Sequence, residues 1–415
     1  MRLVYRFLSY LVALLLLARM GWRGLSDPAF RAHWLERLGW VTGSDLPANP
    51  IWVHAVSVGE VRTAHLLIEA LSRANPEQSF FLTVTTVTGR REAVRLWGSR
   101  LAIAYFPFDL TGALQRFVST IKPAQVVIIE TEIWPMLYDH LSRHRIPLTI
   151  VNAKISARSV RRWRAFKSLL PARVVSHPWV FAQSEDDRER FLALGFDARK
   201  VVTAGHMKLA ALHVHSHSAL PGWSTTRAVW IAGSTRDGEE EICLAAHRLI
   251  LEKIPNALLI VAPRHPERFE TVANLIKSQF YDCARRSRGD GLSSAKVALL
   301  DTIGELPAAF ELALVGLVGG TLAPFGGHNP LELVAQRKAM VLGPYDDSIR
   351  ELIEPLVNGH WVDRVVDAAS LSEAVFQYLK DPEFARVRGE LIYREMAQLP
   401  TPLPILLQHL NQAHP

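Results

Sequence analysis

The sequence predicts an α/β protein of two Rossmann-like domains facing a cleft, preceded by an N-terminal membrane-anchoring helix. Three observations support this fold class. Short apolar strands alternate with amphipathic helices in two blocks, a polar, turn-rich stretch separates the blocks, and an apolar stretch opens the chain. Such alternation favours parallel sheets with right-handed crossovers. The predicted domains are 1–24 (anchor helix), 25–212 (first domain), 213–226 (linker) and 227–415 (second domain).

The N-terminal apolar stretch covers residues 7–18 and is bracketed by Arg2, Arg6, Arg19 and Arg23. It is shorter than the roughly 18–20 apolar residues that span a bilayer, and ARMGWRG is a poor signal-peptide cleavage site. An uncleaved signal anchor and an interfacial helix both fit. Either one attaches the protein to a membrane and leaves its bulk cytoplasmic. The alternative, a buried helix of the first domain, should show a polar face.

Each block supplies the strands of one predicted sheet. The first-block strands are 51–56, 80–85, 101–105, 125–129, 148–152 and 179–183, with helical patterns between them, for instance at 62–74 and 186–194. The second-block strands are 229–232, 257–261, 297–300, 312–318 and 339–342. No GxGxxG follows the first strand, and the chain has no Walker or HExxH motif. A dinucleotide site therefore has no support.

Charge and cysteine content narrow the function classes. Residues 1–210 hold 28 Lys and Arg against 16 Asp and Glu, a net +12, whereas the rest hold 19 against 24, a net −5. Only the first half is basic, which argues against nucleic acid and favours a membrane surface or phosphorylated lipid. Cys243 and Cys283 form no metal-spaced cluster, so we expect two free buried thiols. The linker histidines His213, His215 and His217 are interpreted as a solvated loop.

Four strand-to-helix junctions share the spacing of a capping box, an N-cap side chain followed three residues later by an acid. They are Ser57–Glu60, Asp237–Glu240, Thr302–Glu305 and Asn329–Glu332. These glutamates can simply cap helices. Parallel sheets, however, bind ligands at the carboxyl edge where such junctions open, and helix N-termini there suit phosphate.

Other charged residues follow the same strand ends. Arg264, after strand 257–261, suits phosphate binding or a surface turn. Glu130 and Glu132 end strand 125–129, and two acids at a buried strand end are site candidates. The densest basic patch either binds lipid phosphates or forms a solvated helix face. It comprises Arg158, Arg161, Arg162, Arg164 and Lys167, interleaved with Trp163 and Phe166.

Eight motifs in order resemble the 3-deoxy-D-manno-octulosonic acid (Kdo) transferases of lipid A assembly. They are HAVSVGE, KPAQVVIIETEIWP, NAKISARS, FAQSEDDRERFLALG, AGSTRDGEEE, PRHPERF, DTIGEL and VGGTLAPFGGHNPLE. The resemblance implies a GT-B fold, an inverting transfer from CMP-Kdo to a lipid A precursor (lipid IVA), and no metal or other cofactor. It also implies a place at the cytoplasmic face of the inner membrane.

Carried over by position, the resemblance makes Glu60 the general base that deprotonates the acceptor hydroxyl. Glu130 and Lys208 match residues that stabilise the transition state. The implied CMP-binding residues are Pro263, Arg264, Ile303, Gly304, Glu305, Asn329, Pro330, Leu331 and Glu332.

Three segments depart from the family pattern: 331–334 reads LELV where LEPA or LEAA is usual, 343–348 reads GPYDDS in place of GPH-x-x-NF, and TTVTGRRE lacks part of a TPTG pattern. Two rival functions stay open. One is a GT-B enzyme with another donor, such as a UDP-sugar epimerase or transferase. The other is a non-catalytic relative that binds lipid or glycan.

Overall fold

A computed structural model describes residues 2–41, 46–166, 172–213, 220–280 and 282–412. The chain forms two compact units, Met1–Ala210 with Pro400–Pro415, and Ala211–Leu399. The predicted second domain covers 227–415, whereas the last sixteen residues belong to the first unit. Residues 214–219 of the predicted linker lie outside the described part.

The N-terminal helix α1 spans Arg2–Arg23 and is fastened to the first unit near both ends. The Tyr5 hydroxyl donates to Asp109 Oδ2 at 2.8 Å, and Arg31 donates from Nη2 to the Gly21 carbonyl at 3.1 Å. Within the helix, Tyr5–Arg23 is long and apolar enough to cross a membrane, by length and composition. Phe7 and Trp22 are more than 70% exposed, so α1 keeps an apolar face turned away from the unit.

The first unit is built on a parallel sheet of seven strands in the order β3-β2-β1-β4-β5-β6-β7. Its strands are almost entirely apolar because helices cover both faces of such a sheet. They are β1 Ile51–Ala55, β2 Phe80–Val84, β3 Ala102–Tyr105, β4 Gln125–Ile129, β5 Leu148–Ala153, β6 Trp179–Ala182 and β7 Val201–Thr203.

Helices connect these strands: α2 Val58–Ala74, α3 Val87–Trp97, α4 Thr111–Ile121, α5 Pro135–Arg143, α6 Ala157–Phe166, α7 Arg173–Ser176 and α8 Glu185–Leu194. Short 3-10 helices cover Pro28–Phe30, Trp34–Leu38 and Met207–His213. The order of the strands reverses at β1 and β4, since β2 and β3 lie on one side and β5 to β7 on the other. Such a switch point opens a crevice at the carboxyl edge of the sheet.

The second unit has its own seven-stranded parallel sheet, in the order β10-β11-β9-β8-β12-β13-β14. Its strands are β8 Val229–Thr235, β9 Leu258–Pro263, β10 Ala284–Arg285, β11 Val297–Leu299, β12 Val315–Val318, β13 Ala339–Leu342 and β14 Asp363–Arg364. Its helices are α9 Glu239–Lys253, α10 Phe269–Phe280, α11 Leu306–Glu311, α12 Leu331–Ala335, α13 Arg350–Asn358, α14 Ala368–Lys380 and α15 Pro382–Gln398. Here the order reverses between β8 and β12.

The C-terminal helix α16, Leu403–Gln412, packs in the first unit. Leu406 and Leu410 are fully buried and share a core with residues of α2. Gln125 Nε2 donates to the Leu410 carbonyl at 3.0 Å. The apolar face of α16 therefore completes the core of the first unit, which explains why the predicted boundary at the C-terminus was wrong.

All eleven predicted strands are present; two match at both ends, and the ends of the others shift by up to three residues. The prediction missed β7, β10 and β14, which have two or three residues each and lie at or near the sheet edges. Strands this short carry too few residues to show a pattern. The two parallel sheets confirm the α/β prediction.

Candidate active site

Glu60 lies in the first turn of α2, directly after β1 at the switch point of the first sheet. Its Oε2 accepts a hydrogen bond from the Val56 amide at 2.7 Å, and its Oε1 accepts one from the Ser57 hydroxyl at 3.0 Å. Ser57 is the N-cap but makes no side-chain capping bond of its own. These two hydrogen bonds hold the carboxylate at the sheet edge.

Glu130 and Glu132 follow β4, the neighbour of β1. Glu130 has a φ of +62°, a left-handed conformation that is uncommon for a non-glycine residue. Burial raises the pKa of Glu130, whereas the positive charges of Lys208 and Lys154 lower it. Of the three predicted catalytic residues, Glu130 therefore lies close enough to both Glu60 and Lys208 for their charges to interact.

Neighbouring carboxylates raise the pKa of two acids in this cluster, Glu60 and Glu132. Burial raises the pKa of Glu60, and the Glu130 carboxylate raises it further, against the hydrogen bonds from Val56 and Ser57. Burial, then Glu60 and Glu130, raise the pKa of Glu132 to about 7. A carboxylate with a raised pKa is a stronger base than an ordinary glutamate and so suits proton abstraction near neutral pH.

Lys208 is placed by Asn152, which the sequence analysis did not single out. Asn152 is buried at the end of β5 with a φ of +58°. Its Oδ1 accepts a hydrogen bond from the Met207 amide at 3.1 Å, next to Lys208, and its carbonyl accepts one from Gln183 Nε2 at 2.9 Å. In the sequence, only the position of Asn152 in the NAKISARS motif could have pointed to this role.

In the second unit, the predicted CMP-binding segments follow adjacent strands. Arg264 follows β9, residues 303–305 follow β11, and residues 329–332 close the loop after β12. Because these strands and β8 are neighbours in the sheet, the segments share its carboxyl edge. The Arg264 amide donates to the Thr235 carbonyl at 3.0 Å, which fixes the turn.

The glycine-rich loop after β12 is held by Glu239, another residue missing from the predicted site. Glu239 is fully buried in the first turn of α9. Its oxygens accept hydrogen bonds from the amides of Gly320 at 2.7 Å and Leu322 at 2.8 Å, and from Arg236 at 2.8 Å. Gly319 has to be a glycine, since a Cβ there would lie 2.3 Å from the Ser234 carbonyl oxygen.

A group of basic side chains gathers at this edge around His328. Burial lowers the pKa of His328 to about 4, and the charges of Arg264, Arg236 and His265 add to the effect. Arg236 bonds His265 and lies over the Phe325 ring at 4.2 Å. Only Arg264 of these was predicted, although the others stand in the motifs AGSTRDGEEE, PRHPERF and VGGTLAPFGGHNPLE. Such a concentration of positive charge suits an anionic ligand.

Glu305 is engaged with its own neighbours. Arg286 donates to it from Nη2 at 2.8 Å and from Nε at 3.0 Å, and Thr302 donates to its Oε2. Ile303 is 73% exposed, and Gly304 has a φ of +89°. Glu305 itself, not Thr302, is the N-cap of α11, so the predicted capping box is wrong here.

Two further capping boxes are also absent. Pro330 is the N-cap of α12, and the Asn329 side chain accepts a bond from the Leu331 amide at 3.3 Å. In α9 the N-cap is Gly238, while Glu240 accepts from Arg268 at 2.6 Å. Both helices begin one residue later than the capping spacing predicted. Their N-cap positions are taken by Gly238 and Pro330 in place of Asp237 and Asn329.

The divergent segment 343–348 packs against the glycine-rich loop that follows β12. The Gly343 amide donates to Thr321 Oγ1 at 2.8 Å, and the Tyr345 amide donates to the Thr321 carbonyl at 2.9 Å. Asp346 is fully buried and pairs with Arg350 at 2.8 Å and with Arg364. An internal ion-pair network therefore holds the segment.

Other predictions have mixed outcomes. Cys243 and Cys283 are free and buried, as predicted. In the basic patch, Arg158, Arg161 and Arg162 are exposed, whereas Lys167 lies outside the described residues. His215 and His217 also lie outside them. Within the described ranges, no cluster of three or more His, Cys, Asp or Glu residues could hold a metal ion.

Comparison with known proteins identifies the family. The family model described as 3-Deoxy-D-manno-octulosonic-acid transferase (kdotransferase) matches residues 32–211. The 3-deoxy-D-manno-octulosonic acid transferase of Haemophilus influenzae is 33% identical over 395 residues, which cover 93% of this chain and 92% of that protein. The protein of the same name from Bordetella pertussis is 33% identical over 360 residues, 83% of this chain and 82% of that protein.

Solved structures support the fold. UDP-GlcNAc 2-epimerase from Neisseria meningitidis, bound to UDP-GlcNAc, matches with a TM-score of 0.58 over 88% of this chain and 100% of that chain. At 15% identity this likeness shows the GT-B-like fold alone. The Haemophilus influenzae protein, in contrast, is 33% identical along 93% of this chain. The chain therefore belongs to the Kdo transferase family of glycosyltransferases.

Proposed function

We propose that this protein transfers Kdo from CMP-Kdo to lipid IVA, a phosphorylated and acylated glucosamine disaccharide, in lipopolysaccharide biosynthesis. Family membership supports Kdo transfer. The main support for the proposed chemistry is the environment of Glu60. Its buried carboxylate is oriented by hydrogen bonds from Val56 and Ser57, and burial and the charge of Glu130 raise its pKa.

In the proposed step, Glu60 takes the proton of an acceptor hydroxyl while that oxygen attacks the anomeric carbon of Kdo. The bond between this carbon and the CMP phosphate oxygen breaks, CMP leaves with the electron pair, and the configuration inverts. The sugar passes through an oxocarbenium-like state, so stabilisation of charge matters more than a protein nucleophile. Glu130 and Lys208 are proposed to stabilise this state.

The donor is proposed to bind at the carboxyl edge of the second sheet, through the predicted residues 263–264, 303–305 and 329–332. The basic group of Arg264, Arg236 and His265 supports phosphate binding there, because guanidinium groups pair with phosphate oxygens. The guanidinium groups of Arg264 and Arg236 would fill the charge-neutralising role that a metal ion has in other nucleotide-sugar enzymes. We therefore expect transfer to continue in excess EDTA.

Membrane attachment is proposed through the exposed apolar face of α1, at the cytoplasmic face of the inner membrane. The net charge of +12 over residues 1–210 supports contact with an anionic lipid surface. The acceptor would then reach the enzyme from within that surface.

The test is to incubate the full-length protein in detergent with CMP-Kdo and lipid IVA and to record the mass of the lipid product. Added mass of one or more Kdo residues supports the proposal, and an unchanged lipid under all detergent conditions contradicts it. Calorimetry with CMP and UDP separates the rival functions. An enzyme with a UDP-sugar donor prefers UDP, and a non-catalytic relative binds the lipid without binding CMP.

A further inference from the structure

An apolar cavity of about 840 Å³ lies within the first unit, between α1 and the carboxyl ends of β2 and β3. The inner face of α1 forms one wall, and segments 85–88 and 105–109 form the other. Pockets of roughly 300–1,000 Å³ hold small molecules in proteins. The α1 residues of the wall recur every three or four positions: Tyr5, Leu8, Ser9, Val12, Ala13, Leu16, Arg19, Met20 and Arg23.

A buried cation lines this mainly apolar space. Arg37 is only 7% exposed, its Nη2 donates to the Thr85 carbonyl at 2.7 Å, and its guanidinium lies 4.1 Å from the centre of the Tyr105 ring. Its Nε has no partner among the described residues. The neighbouring Glu36 accepts instead from Arg90 at 2.7 Å.

A buried guanidinium with no carboxylate partner is costly, because burial removes the water that would solvate its charge. Within the described part of the chain, Arg37 forms no ion pair closer than 4.0 Å, and burial lowers its pKa by more than the charge of nearby Glu36 raises it. An anionic group of a bound molecule would supply the missing partner. The geometry at Arg37 thus points to a ligand that is both apolar and negatively charged.

The charges around the cavity agree with this ligand. Arg19, Arg23 and Arg162 line it from exposed positions. Its one lining acid, Asp109, already accepts hydrogen bonds from the Tyr5 hydroxyl and from the amides of two residues of α5. Four arginines and one engaged carboxylate leave the cavity with an excess of positive charge.

The cavity also adjoins the turn that carries Glu60. Thr86, which lines the cavity, donates to the Val56 carbonyl from its amide at 3.1 Å and from its hydroxyl at 2.9 Å. The Val56 amide in turn donates to Glu60. Trp134, also in the cavity wall, follows Glu132 by two residues. A molecule that presents a hydroxyl to Glu60 therefore has an apolar space beside it.

We propose that this cavity takes one acyl chain of the acceptor lipid, and that Arg37 binds an anionic group of the same molecule. This inference rests on the proposed function for the identity of the lipid. It adds a defined acyl subsite, in which α1 serves as a wall of the binding site as well as an attachment to the membrane.

The test is photolabelling of the full-length protein by a lipid IVA analogue with a diazirine at the end of one acyl chain, in phosphatidylethanolamine vesicles. Peptide mass spectrometry should find the label on segments 5–23 and 105–109. Val12→Trp, which fills the cavity from α1, should reduce the label at least fivefold. Val94→Trp is the matched control, because Val94 is 50% exposed and Val12 52%, and Val94 lies outside the cavity.

Two labelling results would overturn the proposal: equal labelling of the Val12→Trp variant and the wild type, or labelling restricted to the outward residues of α1 such as Phe7. A phosphatidylglycerol probe with the same diazirine acyl chain tests whether bulk membrane lipid also enters the cavity. If it labels segment 105–109 as strongly as the lipid IVA analogue, the cavity holds bulk lipid and the proposed occupant is wrong.

The role of Arg37 is tested by Arg37→Met and Arg37→Lys with phosphorylated and dephosphorylated acceptor analogues. Arg37→Met should raise KM for the phosphorylated acceptor at least tenfold, change KM for the dephosphorylated one less than twofold, and be partly rescued in Arg37→Lys. An equal loss with both acceptors would show a merely structural role. Photolabelling needs no turnover, so a wild type that labels but transfers no sugar contradicts the proposed function and leaves the cavity assignment standing.

Discussion

The side-chain oxygen of Asn152 accepts a hydrogen bond from the Met207 amide at 3.1 Å and so joins the end of β5 to the turn that carries Lys208. Both groups are buried. The left-handed backbone of Asn152 suits asparagine better than most residues. The position of a proposed catalytic lysine therefore depends on a residue that contacts the backbone next to it.

We expect Asn152→Ala to lower kcat by roughly fivefold, because loss of a buried hydrogen bond costs about 1 kcal/mol and displaces the Lys208 turn. Affinity for CMP, measured by calorimetry, should not change. The control is Asn75→Ala, since Asn75 is an exposed C-cap residue. Equal activity in both variants would remove Asn152 from a positioning role.

Glu60→Gln should keep CMP binding and lose turnover by about 100- to 10,000-fold, the usual contribution of a general base. The amide can still accept one of the two hydrogen bonds that hold the carboxylate, so the fold should persist. Glu69→Gln on the same helix, a partly exposed site, is the matched control. A Glu60→Gln enzyme with wild-type kcat would exclude the base role.

The close placement of Glu60, Glu130 and Glu132 should make the stability of the protein depend on pH. Burial and the charges of Glu60 and Glu130 raise the folded-state pKa of Glu132 to about 7, so between about pH 4.5 and 7 the folded state holds more protons than the unfolded state. The free energy of unfolding should therefore fall as pH rises through this range, by up to about 3 kcal/mol from this group.

Urea unfolding of the wild type and Glu132→Gln at pH 4.5 and pH 8 measures this effect. The variant should lose less stability than the wild type on going to pH 8, because it has no charge to bury. Parallel losses in the two proteins would show that Glu132 does not titrate in this range.

Glu239→Ala should weaken CMP binding by at least tenfold and destabilise the second unit. The substitution leaves the amides of Gly320 and Leu322 without their acceptor, and an unpaired buried donor costs about 1–3 kcal/mol. Calorimetry with CMP and thermal unfolding measure the two effects. Glu241→Ala, an exposed change in the same helical turn, should alter neither.

Local patterns in the sequence were enough to predict the two parallel sheets. Apolar runs of four to seven residues, such as those that form β4 and β8, alternate with amphipathic helices, and burial on both faces makes each strand apolar throughout. The placement of Glu60 and Arg264 at carboxyl edges followed from the same alternation. In a parallel sheet, the residue after a strand lies at that edge.

Tertiary structure decided what the local pattern does not encode. The C-terminal helix returns to the first unit because its leucines complete a core formed by residues between Ile51 and Met207, and no local signal marks that partner. The roles of Asn152 and Glu239 depend on amides that lie 55 and 81 residues away in the chain. The sequence by itself determined the strands, the order of the motifs and the acids at the strand ends. Only folding set the raised pKa values of those acids, the basic group around His328 and the unpaired Arg37 under α1, because each depends on distant side chains brought together out of water.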